Sequence, residues 1–357
     1  MKRWFGLAIL IAVVGGTYLW KSGALGLNPG KSLEVRGFLG GEKSGLMKDP
    51  EILDRLARLG IRANLTKSGS IEMVLERDHS GMDLLWPSNQ IGAELLKREG
   101  RSLTAEELIF NSPLVFYTWE EVAAPLKSEG WVEERQGVLY FSNLQGLVTW
   151  IEQEKTWADL GLPQLYGKVQ IHATDPASSN SGNMFAALLA TVMNDGRVVS
   201  DADLEAILPR LSDYYKRMGY LENSSSDLFE SFLNTGVGAH PIIVGYENQL
   251  IEFLLENPNF RDLIRKKVRI IYPQPTFWSS HPVLGLTAGG KQFAEAMKDS
   301  QIQELAWQRH GFRSALRNDI PRVAALEGLG IPATIQSVAP LPPASAMLRL
   351  IEVLKNP

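Results

Sequence analysis

Four times along this chain, an apolar run ends in a short loop of small hydrogen-bonding residues. Gly40-Gly41-Glu42-Lys43-Ser44 follows "SLEVRGFL", and Thr66-Lys67-Ser68-Gly69-Ser70 follows "IRANL" and leads into "IEMVLER". Ser88 and Asn89 follow "MDLLWP", and Thr174 to Asn183 follow "YGKVQIHA". Helix-periodic segments separate these junctions. "DPEILDRLARLG" reads as a helix with Asp49 as cap, Pro50 in the first turn and Gly60 as stop. The alternation predicts an α/β protein with a parallel sheet and short crossovers. Ligands of open α/β sheets bind beyond the carboxyl ends of the strands, so such loops can converge on one cleft. Taken singly, each Gly/Ser loop is most often only a turn.

The fourth junction is the richest. In "TDPASSNSGNMFAALLATV", Met184, Phe185, Leu188, Leu189 and Val192 recur at helical spacing. Ser181 is placed as the N-cap, which leaves the amides of Gly182, Asn183 and Met184 free. Two readings stand side by side: an ordinary cap after a loop, or an anion cradle built from free helix-start donors. The second α/β region continues with helices over "NMFAALLATVMNDG" and "DADLEAILPRLSDYYKRMGYL". A strand and helix in "HPIIVGYENQLIEFLLEN" and a strand in "KKVRIIYPQP" come next, and "GGKQFAEAMKDSQIQELAWQRHGFR" gives two helical stretches. "LIFNSPLVFYTW" reads as a longer strand.

The chain has 357 residues, more than one hydrophobic core usually serves, so two lobes are expected. A net charge of -4 without any Lys/Arg run argues against a nucleic-acid surface. There is no cysteine, which excludes disulfides, thiolate metal sites, cysteine nucleophiles and a lipid-bearing cysteine. Met1-Lys2-Arg3 precedes an apolar run from Trp4 to Trp20, closed by Lys21. Residues 1–21 therefore read as an uncleaved signal-anchor, with a cleaved secretory signal as the alternative. Residues 22–32 read as a linker, and the body is expected outside the cytoplasmic membrane.

Other chemistry is poorly represented. Histidines 79, 172, 240, 281 and 310 show no metal-ligand spacing, and His240 and His281, each before a proline, read as turn residues. No Gly-x-Ser-x-Gly elbow is present. "GLTAGG" at 285–290 reads as a surface loop, and Trp86, Trp119 and Trp278 as core packing. No metal, cofactor or catalytic residue is expected, and the chain is not read as an enzyme.

The order of "GFLGGEKS", "TKSGSIEMV", "TDPASSNSGNMFAALL" and "FAEAMKDSQIQELAWQRHGFR" resembles that of bacterial extracellular solute-binding proteins of the type 2 periplasmic fold. The group with molybdate- and sulfate-binding proteins is the nearest likeness. The likeness spans residues 34–315. It implies lobe one at 33–112 plus 275–357 and lobe two at 113–274, with hinge crossings in "NSPLVFYTW" and "VRIIYPQPT". It also implies ligand contacts at Ser44, Ser70, Ser88, Ser179, Asn180, Ser181, Gly182 and Tyr246. The implied role is capture of a small oxyanion or other small anion for an ABC permease, by a monomer. A membrane-anchored sensor or scaffold is the alternative. Glu42, Asp175 and Glu247 stand near these positions, which is unusual for a fully charged oxyanion.

Overall fold

The computed structural model describes residues 32–317 and 320–355. The signal-anchor segment, 1–21, and linker residues 22–31 lie outside the described residues. Among the described residues, no helix is long and apolar enough to cross a membrane.

The strands are β1 (Leu33–Leu39), β2 (Ile61–Lys67), β3 (Leu84–Trp86), β4 (Ala105–Trp119), β5 (Val132–Arg135), β6 (Val138–Phe141), β7 (Ile242–Tyr246), β8 (Val268–Pro273), β9 (Thr276–Gly285), β10 (Arg313–Ser314) and β11 (Val338–Ala339). Their order is β2-β1-β3-β9-β4-β8-β6-β5, with β7 and β10 also on β4 and β11 on β9. The sheet is mixed, not parallel as predicted. β1 runs parallel to β2 and β3, but β4 runs antiparallel to β7, β8 and β9. The reason is a continuous crossing. β4 pairs with β9 over Ala105–Pro113 and with β7 and β8 over Leu114–Trp119. It therefore carries the chain from one half of the molecule into the other. β8 and β9, separated by two residues, carry it back, so they must oppose β4.

The helices are α1 (Pro50–Arg58), α2 (Glu72–Leu75), α3 (Ile91–Arg98), α4 (Glu120–Ser128), α5 (Leu144–Glu152), α6 (Asn180–Met193), α7 (Asp201–Met218), α8 (Ser225–Thr235), α9 (Glu247–Glu256), α10 (Arg261–Lys267), α11 (Ala288–Met297), α12 (Ser300–His310) and α13 (Ala344–Leu354). α1 starts as its sequence dictates: the Asp49 carboxylate accepts from the amides of Glu51 and Ile52, with Pro50 at the first turn. α6 is buried all round apart from Val192, as the apolar run from Met184 to Ala190 requires.

Three local expectations need correction. The segment 166–173 is not a ladder strand. His172 bridges Ile243 and Thr174 bridges Glu222, while Val169, Ile171 and Ala173 are buried on one face. Alternate burial keeps this stretch extended without a full ladder. Residues 285–290 are not a surface loop: β9 ends there, Thr287 caps α11, and Gly289 and Gly290 are buried. A Cβ on Gly290 would stand 1.9 Å from the Asp83 carbonyl oxygen, so only glycine permits this close approach. His281 lies inside β9 and is fully buried, because its alternation with Phe277, Ser279 and Val283 turns it inward.

One core fills the first half, around Val35, Leu56, Trp86, Phe110, Phe293 and Phe312. A larger one surrounds α6 and includes α3, α5, α7 and α13. The carboxyl-terminal helix α13, placed with lobe one by the sequence likeness, packs chiefly on α7 and α6 and also touches α3.

Candidate functional site

The ends of β1 and β2 and the starts of α6 and α8 border one cleft of about 370 Å³. Gly40, Gly41, Glu42 and residues 67–70 line it from one side; Ser178, Ser179, Asn180 and residues 223–225 line it from the other. Ser179 is the residue before α6, and Ser224 the residue before α8; neither side chain caps its helix. Ser181, the predicted cap, is the second residue of α6 and instead shares its hydroxyl with Thr174 at 2.7 Å and Ser179 at 3.1 Å. The correction has a local cause: the loop closes earlier, with the amides of Ser178 and Ser179 donating to the Asp175 carbonyl. The amides of Asn180, Ser181 and Gly182, and those of Ser225, Ser226 and Asp227, find no acceptor among the described residues. A helix start of this kind attracts negative charge.

The other jaw is built differently. The Ser68 hydroxyl and the Gly69 amide donate to the Glu72 carboxylate at 2.9 and 3.0 Å, and Arg77 pairs with the same carboxylate. The Ser70 hydroxyl accepts from the Ser88 amide at 2.9 Å. The small polar groups of 68–70 are thus largely committed to their own loop.

Of the expected contact residues, Ser70, Ser179 and Asn180 line the cleft. Ser88, Ser181, Gly182 and Tyr246 are buried behind it, and Ser44 is partly exposed outside its lining. Asn180 joins the two layers. Its Nδ2 donates to the Tyr246 hydroxyl at 2.8 Å and to the Ser88 carbonyl at 3.3 Å, and its Oδ1 accepts from Asn89. A Cβ on Gly182 would stand 2.3 Å from the Thr174 carbonyl, which explains glycine where α6 meets its own loop.

Beneath the cleft floor sits a buried charged cluster. Lys43 Nζ donates to Glu42 Oε1 at 2.5 Å, to Ser88 Oγ at 3.1 Å and to His281 Nδ1 at 3.2 Å. Ser88 Oγ also donates to Glu42 Oε1. His281 Nε2 lies 3.3 Å from Ser112 Oγ. Burial alone would raise the Glu42 carboxyl, but the Lys43 ammonium outweighs it and holds the group well below the carboxylate range. Burial lowers Lys43, and Glu42 opposes that shift. Burial and the neighbouring ammonium lower His281 to about 4. The imidazole is therefore neutral near pH 7; accepting from Lys43 at Nδ1 leaves its proton on Nε2, facing Ser112.

The closing Gly-Phe-Arg serves the scaffold. Gly311 takes the left-handed conformation at φ 69° after α12. Arg313 forms a two-point pair with Glu247 at 2.6 and 2.7 Å, and Tyr272 donates to the same carboxylate at 2.6 Å. Glu247 is consequently not a cleft group, and the Asp175 carboxylate accepts from the Ala177 amide.

The sequence reading omitted Asn223, Ser224 and Ser225. Their signal is "ENSSSD", a run of cap-forming residues before the apolar Leu228, Phe229 and Phe232 of α8. Among the described residues, no group of three His, Asp or Glu side chains is placed to hold a metal ion.

No protein-family model matches the sequence, and no curated protein matches it. Solved structures do. A periplasmic thiamin binding protein superposes with a TM-score of 0.59, at 11% identity, over 90% of this chain and 95% of its own. The apo ferric ion-binding protein A of Pasteurella haemolytica gives 0.57, at 11% identity, over 90% and 96%. Iron-bound HitA from Pseudomonas aeruginosa gives 0.56, at 11% identity, over 90% and 99%. The chain has the fold of the type 2 periplasmic solute-binding proteins. In this two-lobed α/β fold, β4 and the β8–β9 pair are the segments shared by both halves, and the cleft described above opens between loops that belong to different halves.

Proposed function

We propose that this chain is an extracytoplasmic solute-binding protein that holds a small solute by an anionic group and delivers it to an ABC-type permease. The observation that carries the reading is the pair of uncapped helix starts, α6 and α8, on one polar cleft of about 370 Å³. That volume falls within the range of small-molecule sites. The ligand contacts proposed are Ser179 and Asn180 at the surface of the cleft; Ser70 lines it as well, with its hydroxyl held by the Ser88 amide. Ser88, Ser181, Gly182 and Tyr246 act from behind the cleft, and Ser44 stands outside its lining. The solved structures named above bind thiamin or iron, which supports a role in solute capture without fixing the solute. The apolar segment 1–21 would keep the body at the outer face of the membrane. The sensor alternative gains no observation of its own.

Native mass spectrometry of the purified chain, followed by a thermal-shift screen of sulfate, molybdate, phosphate and small carboxylates, tests the reading. An anionic solute that raises the melting temperature in the native chain, and fails to do so in Asn180→Asp, is the expected result. A chain that no anion stabilises, or one stabilised equally in Asn180→Asp, overturns it.

A further inference from the structure

We infer that Glu42 makes the cleft selective for a small zwitterion, with a cationic N–H group beside the anionic group. This rests on the reading that the cleft is a ligand site. Every protein contact to the Glu42 carboxylate goes to Oε1: Lys43, Ser88 and His281 all converge on that atom. Oε2 has no partner among the described residues, yet the side chain is only 6% exposed and lines the cleft. That oxygen is not sealed inside the protein, so its donor comes from a ligand or from water in the cleft.

The remaining charges of the cleft decide which donor. Glu42 is balanced by Lys43, and Glu72 by Arg77. Lys67, lying across Gly41, and Asp227, at the first turn of α8, are left as one charge of each sign. The lining is therefore close to neutral. A dianion would meet one lysine, Lys67, set against Asp227, and would leave a net negative charge in the cleft. An anion with a hydroxyl could satisfy Oε2, but it would bring net negative charge against an ionised carboxylate. An ammonium supplies both the donor and the charge, while its partner anion rests on the amides of α6 and α8. A net-neutral solute bearing both groups matches each feature.

The test uses three near-isosteric probes on the full chain in calorimetry: β-alanine, 3-hydroxypropionate and propionate. β-Alanine is expected to bind at least about tenfold more tightly than either anion, as one hydrogen bond to a charged group implies. Glu42→Gln alone would leave Lys43 buried without its partner, so the variant of choice is Glu42→Gln/Lys43→Met, which removes both charges. It should fold and lose the preference for β-alanine over propionate. Equal or tighter binding of propionate by the native chain overturns the inference, as does a preference that survives the double variant. Failure of all three to bind also overturns it, while the anion screen above judges the cleft reading separately.

Discussion

Among the described residues, one buried lysine–carboxylate pair and one buried arginine–carboxylate pair are built to different completeness. Around Glu247, both carboxylate oxygens are used: Arg313 takes both, Tyr272 adds a third bond, and the guanidinium gives its other donors to the carbonyls of Pro332 and Ala333. Around Glu42, three partners crowd one oxygen and the other faces the cleft. Sequence alone presents both as an acidic residue near a small polar loop. Counting lone pairs separates them. A pair with every group filled locks chain segments together; a pair with one group open onto a cavity is arranged toward something outside the chain.

The sharpest way to test this contrast is to break the closed pair. Arg313→Met should lower unfolding free energy by about 3–5 kcal/mol, because it strands a buried carboxylate. Removing both charges in Glu42→Gln/Lys43→Met should change it by less than about 2 kcal/mol. Urea unfolding measures both. Equal losses in the two variants would mean that the open pair is as structural as the closed one.

A smaller effect comes from acid. His281 in the open cluster titrates near 4 in the folded chain, through burial and Lys43, against 6.5 when unfolded. The unfolded chain binds the proton first, so stability is intact above about pH 6.5 and falls as pH drops toward 4. Each such histidine contributes a slope of up to about 1.4 kcal/mol per pH unit. His172, lowered to about 4 by burial and by His240, contributes the same slope far from the closed pair. Urea melts between pH 7 and 4 should show His281→Asn and His172→Asn each reducing the acid loss, with His240 and the lowered carboxylates supplying the rest. A slope untouched by His281→Asn would show that the cluster carries its protons elsewhere.

Smallest is the effect at the committed jaw. Ser70→Ala strands the buried Ser88 amide and should cost about 1–3 kcal/mol, with less than about threefold change in affinity for whichever anion the screen identifies. A large affinity loss with little change in melting would show instead that Ser70 contacts ligand directly.

Local chemistry made much of this legible in advance. Asp49-Pro50 announced α1, the apolar spacing of Met184 to Leu189 announced α6, and Gly311 closed α12 as a left-handed cap. The order of the small polar loops was enough to place two jaws, because strand ends and helix starts are set by neighbours in sequence. Three things escaped. The start of α6 was misplaced by two residues, since the Asp175 carbonyl closes the loop on the amides of Ser178 and Ser179, and Ser181 turns its hydroxyl to Thr174 and Ser179 instead of capping. The antiparallel run of β4 was missed, because pairing direction follows from how the chain returns through β8 and β9, not from composition. His281 was taken for a turn residue on the strength of Pro282, although the proline sits within an antiparallel strand.

The sequence by itself determined which segments are helical, which loops carry small donors, and that no cysteine chemistry is available. These depend on contacts within a few residues. Only the tertiary structure decided which donors remain free. Ser68 and Gly69 lost theirs to Glu72, four and three residues away, but Lys43 met His281 across 238 positions and Glu247 met Arg313 across 66. Whether a polar group is satisfied inside the fold or left facing a cleft depends on partners that folding brings together from distant positions. A linear pattern records the groups, and the packed core decides where they point.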